Sequence, residues 1–199
     1  MADISLAPRS PLSGRQVAFD ALAPAGQLAE KPVAQAIVRI SDVDATARLD
    51  LPGVCELRRR DGEVAVWLGP TEWLLYREGV TGHAFFDDVV SRAGDNAYVM
   101  DATSQRTRLV LGGPRARTIL AHGCAVDLSD NAFPPDRAIS TLFAQTGVVI
   151  HRDQPDDSYT LFVRSSFADY LADWLVDAAT EYVVPTPTDT TPTDTNSLT

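Results

Sequence analysis

The sequence predicts an α+β fold, an antiparallel sheet with helices packed on one face. Three observations carry that reading. Pairs of extended apolar runs lead into a helical pattern, and this order occurs twice along the chain. The last helical pattern, over residues 167–178, is a broad apolar stripe of the kind that covers a sheet. No GxGxxG follows an extended run and no GxxxxGKS/T occurs, so a doubly wound nucleotide-binding fold lacks its glycines.

Residues 7–12, with Pro8 and Pro11, form a turn-rich entry, and small residues with Pro24 and Gly26 between positions 20 and 32 indicate an irregular arm with room for a short helix. Ile37, Val38 and Ile40 mark a first strand and residues 63–68 a second. Gly69 and Pro70 break the chain before an extended run at residues 72–76, so a turn joins two antiparallel strands there. Residues 82–93 place Phe86, Val89, Val90 and Ala93 at helical spacing, closed by Gly94, and strands follow at 98–101 and 106–111. In the second half Gly113-Pro114 opens a helix with proline at its first position, and Gly123 closes it. Strands at 142–144 and 148–151 lie around Gly147, residues 153–157 turn, and 159–163 is the last strand. Phe167, Tyr170, Leu171, Trp174, Leu175 and Ala178 then share one helical face, with Ser165 or Ser166 as cap. Residues 185–199, PTPTDTTPTDTNSLT, hold one apolar side chain, Leu198, too little to offset the entropy of ordering. The expected organisation is an N-terminal arm (1–33), an α+β domain (34–184) and a disordered Thr/Pro-rich tail (185–199).

The chain has 199 residues, with 17 Lys plus Arg against 27 Asp plus Glu and a net charge of −10. Nucleic-acid binding of the usual kind is excluded, because neutralising phosphates requires a basic surplus. Apolar and charged contents of 45% and 22% are those of an ordinary globular chain, at a length that suits one domain or two small ones packed together. Cys55 and Cys124 lie far apart with no CxxC spacing, which supports neither a disulfide framework nor a zinc knuckle and points to a reducing compartment. The first residues lack the charged start and apolar run of a secretory signal, and no stretch reaches the ~18 to 20 apolar residues of a membrane span. A cytoplasmic protein is expected.

No constellation of catalytic groups stands out. Cys124 lies near His122, but neighbouring positions at a helix end point apart and cysteine is commonly a small buried hydrophobe. His83, His122 and His151 are scattered without metal-ligand spacing. Asp87 with Asp88, and Asp156 with Asp157, are adjacent in sequence and do not face each other as a general acid and base would. The run Arg58-Arg59-Arg60 before Asp61-Gly62 reads as a charged strand edge or as a steering patch for an acidic partner. Most of the aromatic side chains are expected in the core, yet Trp67 and Trp73 flank one turn and Phe85 and Phe86 point to different sides of their helix, which leaves some aromatic surface for a partner protein. No residue is assigned as catalytic, cofactor-binding or metal-ligating.

Several segments nevertheless carry a resemblance. Arg9-Ser10-Pro11-Leu12, the run Trp67-Leu68-Gly69-Pro70-Thr71-Glu72-Trp73-Leu74-Leu75, Asp101-Ala102-Thr103-Ser104-Gln105-Arg106 and Gly113-Pro114-Arg115-Ala116-Arg117 occur in that order. Gly123-Cys124-Ala125-Val126-Asp127-Leu128 with Phe133, and Val163-Arg164-Ser165-Ser166-Phe167 with Trp174-Leu175-Val176-Asp177-Ala178, follow them. Together, over roughly residues 10–179, the sequence resembles the gamma subunit of heterotetrameric sarcosine oxidase. Thr71 stands where that family more often has Asp.

The resemblance implies two similar ferredoxin-like halves, as in a fragment of the folate-binding glycine cleavage T protein. It further implies a non-catalytic subunit that packs directly on the alpha subunit of a complex completed by beta and delta. The complex would oxidatively demethylate sarcosine to glycine, yielding hydrogen peroxide and 5,10-methylenetetrahydrofolate, with FAD, FMN, NAD, tetrahydrofolate and zinc in the other subunits and no cofactor in this chain. Two alternatives remain open at this point. One is a gamma-type subunit of a dehydrogenase for a related N-methyl amino acid such as N-methylglutamate. The other is an autonomous folate-binding one-carbon-transfer protein, in which Asp101 or Asp127 would hold the pterin. For a subunit, the expected partner-interface residues are Trp73, Arg106, Arg108 and Arg164, because Arg106 and Arg108 alternate along one strand face where guanidinium groups could meet carboxylates of the partner.

Overall fold

A computed structural model of the chain describes residues 9–41, 43–154 and 157–183. The expected tail at 185–199 and residues 1–8 of the expected arm lie outside the described residues. In chain order the elements are α1 (Gln16–Asp20), β1 (Gln27–Glu30), β2 (Ala34–Ile40), α2 (Val43–Arg48), β3 (Leu57–Arg60), β4 (Glu63–Gly69), β5 (Glu72–Arg77), α3 (Gly82–Ala93), β6 (Ala97–Asp101) and β7 (Arg106–Gly112). They continue with α4 (Ala116–Ala121), β8 (Ala138–Phe143), β9 (Thr146–Asp153), β10 (Ser158–Arg164), a 3-10 turn (Ser165–Phe167) and α5 (Ala168–Val183).

The strands form two five-stranded antiparallel sheets, β3-β4-β5-β2-β6 and β8-β9-β10-β7-β1. The two orders are the same pattern. Each has a three-strand meander, then the strand that precedes the meander in sequence, then one more edge strand. In the first sheet that edge is β6, which follows α3, and in the second it is β1, supplied from the N-terminal segment. The segment expected as an irregular arm therefore closes the second sheet, with Leu28 on Leu111 and Glu30 on Leu109. Leu12, Phe19, Leu22 and Leu28 are buried in the main core, so the segment is built into the fold.

The layers follow from alternation along the strands. Val66, Leu74 and Tyr76 of the first sheet pack on Ala138, Val149 and Phe162 of the second, so the sheets face each other. On the outer face of the first sheet, Ala36, Val38, Trp73 and Leu75 are covered by Phe85, Val89 and Ala93 of α3. On the outer face of the second, Leu109, Leu111, Ile150 and Leu161 are covered by Ile119 and Leu120 of α4 and by Leu171, Leu175 and Ala179 of α5. Strand β2 accordingly places Ala34, Ala36, Val38 and Ile40 on that outer face and Gln35, Ile37 and Arg39 on the inner one.

Helical phase departs from expectation in two places. α3 buries Phe85, Val89 and Ala93, whereas Phe86 is half-buried and Val90 exposed. α5 buries Ala168, Leu171, Ala172, Leu175 and Ala179 and leaves Phe167 and Tyr170 46% and 38% exposed. The buried stripe carries three alanines, whose small side chains let the helix backbone lie close to the sheet, and the larger aromatics are displaced to the flank. Ser165 and Ser166 do not cap α5; Ser165 opens the 3-10 turn and its hydroxyl donates to Ser104 O at 2.9 Å. α4 begins at Ala116, with Pro114 in the turn before it.

Candidate functional site in the cleft between the sheets

Strand register sets a grid on the inner face of the second sheet. Arg108, Phe162, Val149 and Ser140 lie in one cross-strand row, and Val110, Thr160, His151 and Ala138 in another. At the near end Arg106 pairs with Arg164, and Gly147 with Leu142.

The polar centre of this face is His151, at 0% exposure. Its Nε2 lies 2.9 Å from the hydroxyl of Tyr76 on the opposite sheet, and its Nδ1 3.3 Å from Asp153 Oδ1. Asp153 accepts from the Thr160 hydroxyl at 2.6 Å and from Arg59 at 2.7 Å. Burial lowers the His151 pKa and outweighs the pull of Asp153, so the ring is neutral. A proton on Nδ1 serves the Asp153 contact and leaves Nε2 to accept from Tyr76. Burial raises the Tyr76 phenol well above its ordinary value, against the influence of Arg108. Burial also pushes the Asp153 carboxyl up, yet His151, Thr160 and Arg59 overcome it and hold that group far below the usual carboxylate range. The trio joins the two sheets, Tyr76 from the first and His151 and Asp153 from the second.

The four expected interface residues separate. Trp73 is 7% exposed on the outer side of the first sheet and its indole N–H donates to Pro52 O at 2.9 Å. Its side chain is part of the core, in one cluster with Leu49 and Leu51 of the segment before β3. Arg108 is buried, donates to Glu78 at 2.5 Å and stacks 5.2 Å above the Tyr76 ring, so its charge is paired within the chain, although among the described residues its Nε has no acceptor. Arg106 and Arg164 are brought side by side. Gln35 donates to Arg106 O at 2.8 Å, and Ser165 N donates to Gln105 O at 3.0 Å, which fixes both strand ends. Among the described residues neither guanidinium has an ion-pair partner, and Arg106 Nε is buried without an acceptor. Burial and then the neighbouring Arg164 lower the Arg106 pKa. Around the pair, Leu68, Glu72, Gly147 and Val149 complete a groove of about 290 Å³.

The other candidates fall outside this cleft. Asp101 accepts from Thr103 N, and Asp127 from the Ser129 N–H and hydroxyl, so both are turn residues. The Ser129 hydrogen bonds lower the Asp127 pKa. Cys124 is buried, and burial raises its thiol, which disfavours the thiolate. Arg58 pairs with Asp50, Arg59 with Asp153, and Arg60 with Asp61, so the arginine run is a charge-guarded edge strand. Sequence reasoning missed the His151, Asp153 and Tyr76 contact. The available signal was the two-residue spacing of His151 and Asp153, which puts both on one strand face.

The model of the sarcosine oxidase, gamma subunit family matches residues 29–181. The chain belongs to that family. Over 126 residues it is 35% identical to sarcosine oxidase subunit gamma from an Arthrobacter species, covering 63% of this chain and 61% of that protein. Over 122 residues it is 34% identical to the corresponding subunit of Corynebacterium sp. (strain U-96), covering 61% and 58%. The matched part thus spans about three-fifths of these gamma-family relatives. Among solved structures it is similar to a chain of heterotetrameric sarcosine oxidase from Corynebacterium sp. U-96 in complex with pyrrole 2-carboxylate. That match has a TM-score of 0.81 at 29% identity and covers 90% of this chain and 98% of that one. The glycine cleavage system aminomethyltransferase T from Bartonella henselae shares the gamma-family fold, with a TM-score of 0.61 at 19% identity over 80% of this chain and 48% of that one.

Proposed function

We propose that this chain is the gamma subunit of a heterotetrameric sarcosine oxidase, an accessory chain without catalytic residues of its own. In this reading it docks directly on the alpha subunit, and beta and delta complete the assembly. The whole supports oxidative demethylation of sarcosine to glycine, with hydrogen peroxide and 5,10-methylenetetrahydrofolate as the other products. FAD, FMN, NAD, tetrahydrofolate and zinc reside in the other subunits.

The observation that carries the reading is the overlap with 98% of a chain from a solved heterotetrameric sarcosine oxidase. The chemistry of the cleft's polar centre agrees with an accessory role, because His151 and Tyr76 are buried against each other and Asp153 is held by Thr160 and Arg59. Asp101, expected to hold a pterin, accepts from Thr103 N through Oδ1, Asp127 accepts from Ser129 through both oxygens, and neither lines the inter-sheet groove.

Purification of the tagged chain from its native host at moderate salt tests the proposal. A yellow complex that releases hydrogen peroxide with sarcosine, and whose other chains are identified by mass spectrometry as flavoprotein subunits, is the expected result. A colourless lone chain that binds reduced folate overturns it.

A further inference from the structure

We infer that the groove around Arg106 and Arg164 is the receptor for a carboxylate-bearing side chain of the partner subunit, the central charged contact of the docking surface. The inference deepens the accessory-subunit reading and rests on it. Three observations converge on this groove.

The first is uncompensated charge. Arg15, Arg39, Arg77, Arg92, Arg117 and Arg152 each have a carboxylate within ion-pair distance in this acid-rich chain. Arg106 and Arg164 have none among the described residues, although they sit directly opposite each other on paired strands, where like charges repel. Glu72, the acid at the groove mouth, is engaged by Arg39 at 3.3 Å. A half-buried guanidinium whose Nε lacks an acceptor carries a desolvation cost that an incoming carboxylate would relieve.

The second is shape. Gly147 lies beside the pair on the inner face, and a Cβ built on it meets nothing within 4 Å. At about 290 Å³ the groove has room for a side chain and its neighbours, and it is small for a large cofactor. Its arginines present forked donors that match a carboxylate in a bidentate manner.

The third is the rim. Leu142, across from Gly147, is 65% exposed on edge strand β8, and Leu68 lines the opposite wall. An apolar rim next to a cationic pocket suits a polypeptide segment, with methylene stem on leucine and charge on arginine, better than a free small anion.

The test compares Arg106→Gln/Arg164→Gln, Gly147→Trp and the exposed control Arg60→Gln, each as the full chain co-expressed with its partner subunits. Circular dichroism and thermal midpoints of the purified chains establish folding, which Gly147→Trp should retain because it projects into open space. The double variant is expected to weaken association by about 30-fold or more and to flatten its salt dependence. Gly147→Trp is expected to block assembly while folded, and Arg60→Gln to assemble normally. A photo-crosslinker at Leu142 should capture the flavoprotein subunit, with the site mapped by mass spectrometry. Normal assembly of both groove variants, with sarcosine oxidation intact, overturns this inference and leaves the accessory-subunit reading standing. Normal assembly together with loss of a saturable stabilisation by inorganic phosphate makes the groove a free-anion site and also overturns it. Failure of the wild-type chain to recover any flavoprotein overturns both readings.

Discussion

At the scale of single residues, the most consequential side chain is a histidine sealed between two sheets and held neutral. The unfolded chain protonates this residue near pH ~6.5, whereas the folded chain resists. Below that pH the unfolded state binds more protons, so stability is fully present at pH ~8 and falls as the pH drops towards ~5. Urea denaturation across that window should show the fall in the wild type and a smaller one in His151→Gln. Tyr76→Phe leaves Nε2 without its donor and should cost about 1–3 kcal/mol at pH ~8 by the same measurement. The Tyr76 partner of His151 was not legible in the sequence. Tyr76 and His151 are far apart along the chain, and only the facing of the sheets brings them within 2.9 Å.

Among the elements, the turn between β4 and β5 illustrates local strain. Thr71 has φ +63°, the left-handed region that a β-branched residue resists. Asn tolerates this conformation, so Thr71→Asn should stabilise by about 0.5–1 kcal/mol, read as a higher urea midpoint. The helices show a tighter constraint. A Cβ on Gly123, just beyond α4, would lie 2.6 Å from Trp174 Cη2 and 2.9 Å from Phe143 Cε1, two rings already packed edge to face. Gly123→Ala should therefore cost about 1–3 kcal/mol through overpacking, measured by thermal or urea unfolding. The glycine was legible as a helix end, but its role under Trp174 was not. Strand positions were read closely for β2, β4, β5, β7 and β10, because alternation and turn chemistry are local. The buried faces of α3 and α5 were each misplaced, because several helical phases satisfy the same apolar spacing and the sheet beneath selects one.

At the scale of the whole molecule, two copies of one strand order are packed face to face, with helices on the outside. The edge of the second sheet comes from the N-terminal segment, so deletion of residues 1–30 exposes β7 and removes Leu12, Phe19, Leu22 and Leu28 from the core. Such a chain should be insoluble or lose its cooperative thermal transition by calorimetry, whereas a detachable arm would leave the transition unchanged. The sequence by itself determined the α+β class, most of the strands and the family resemblance, since these depend on short-range periodicity and on motifs read in order. Only the tertiary structure decided that β1 completes a sheet, that Trp73 is core, and that Arg106 and Arg164 stand together with no ion-pair partner among the described residues. Each of those outcomes depends on strand register and on contacts between residues distant in sequence, which no local pattern encodes.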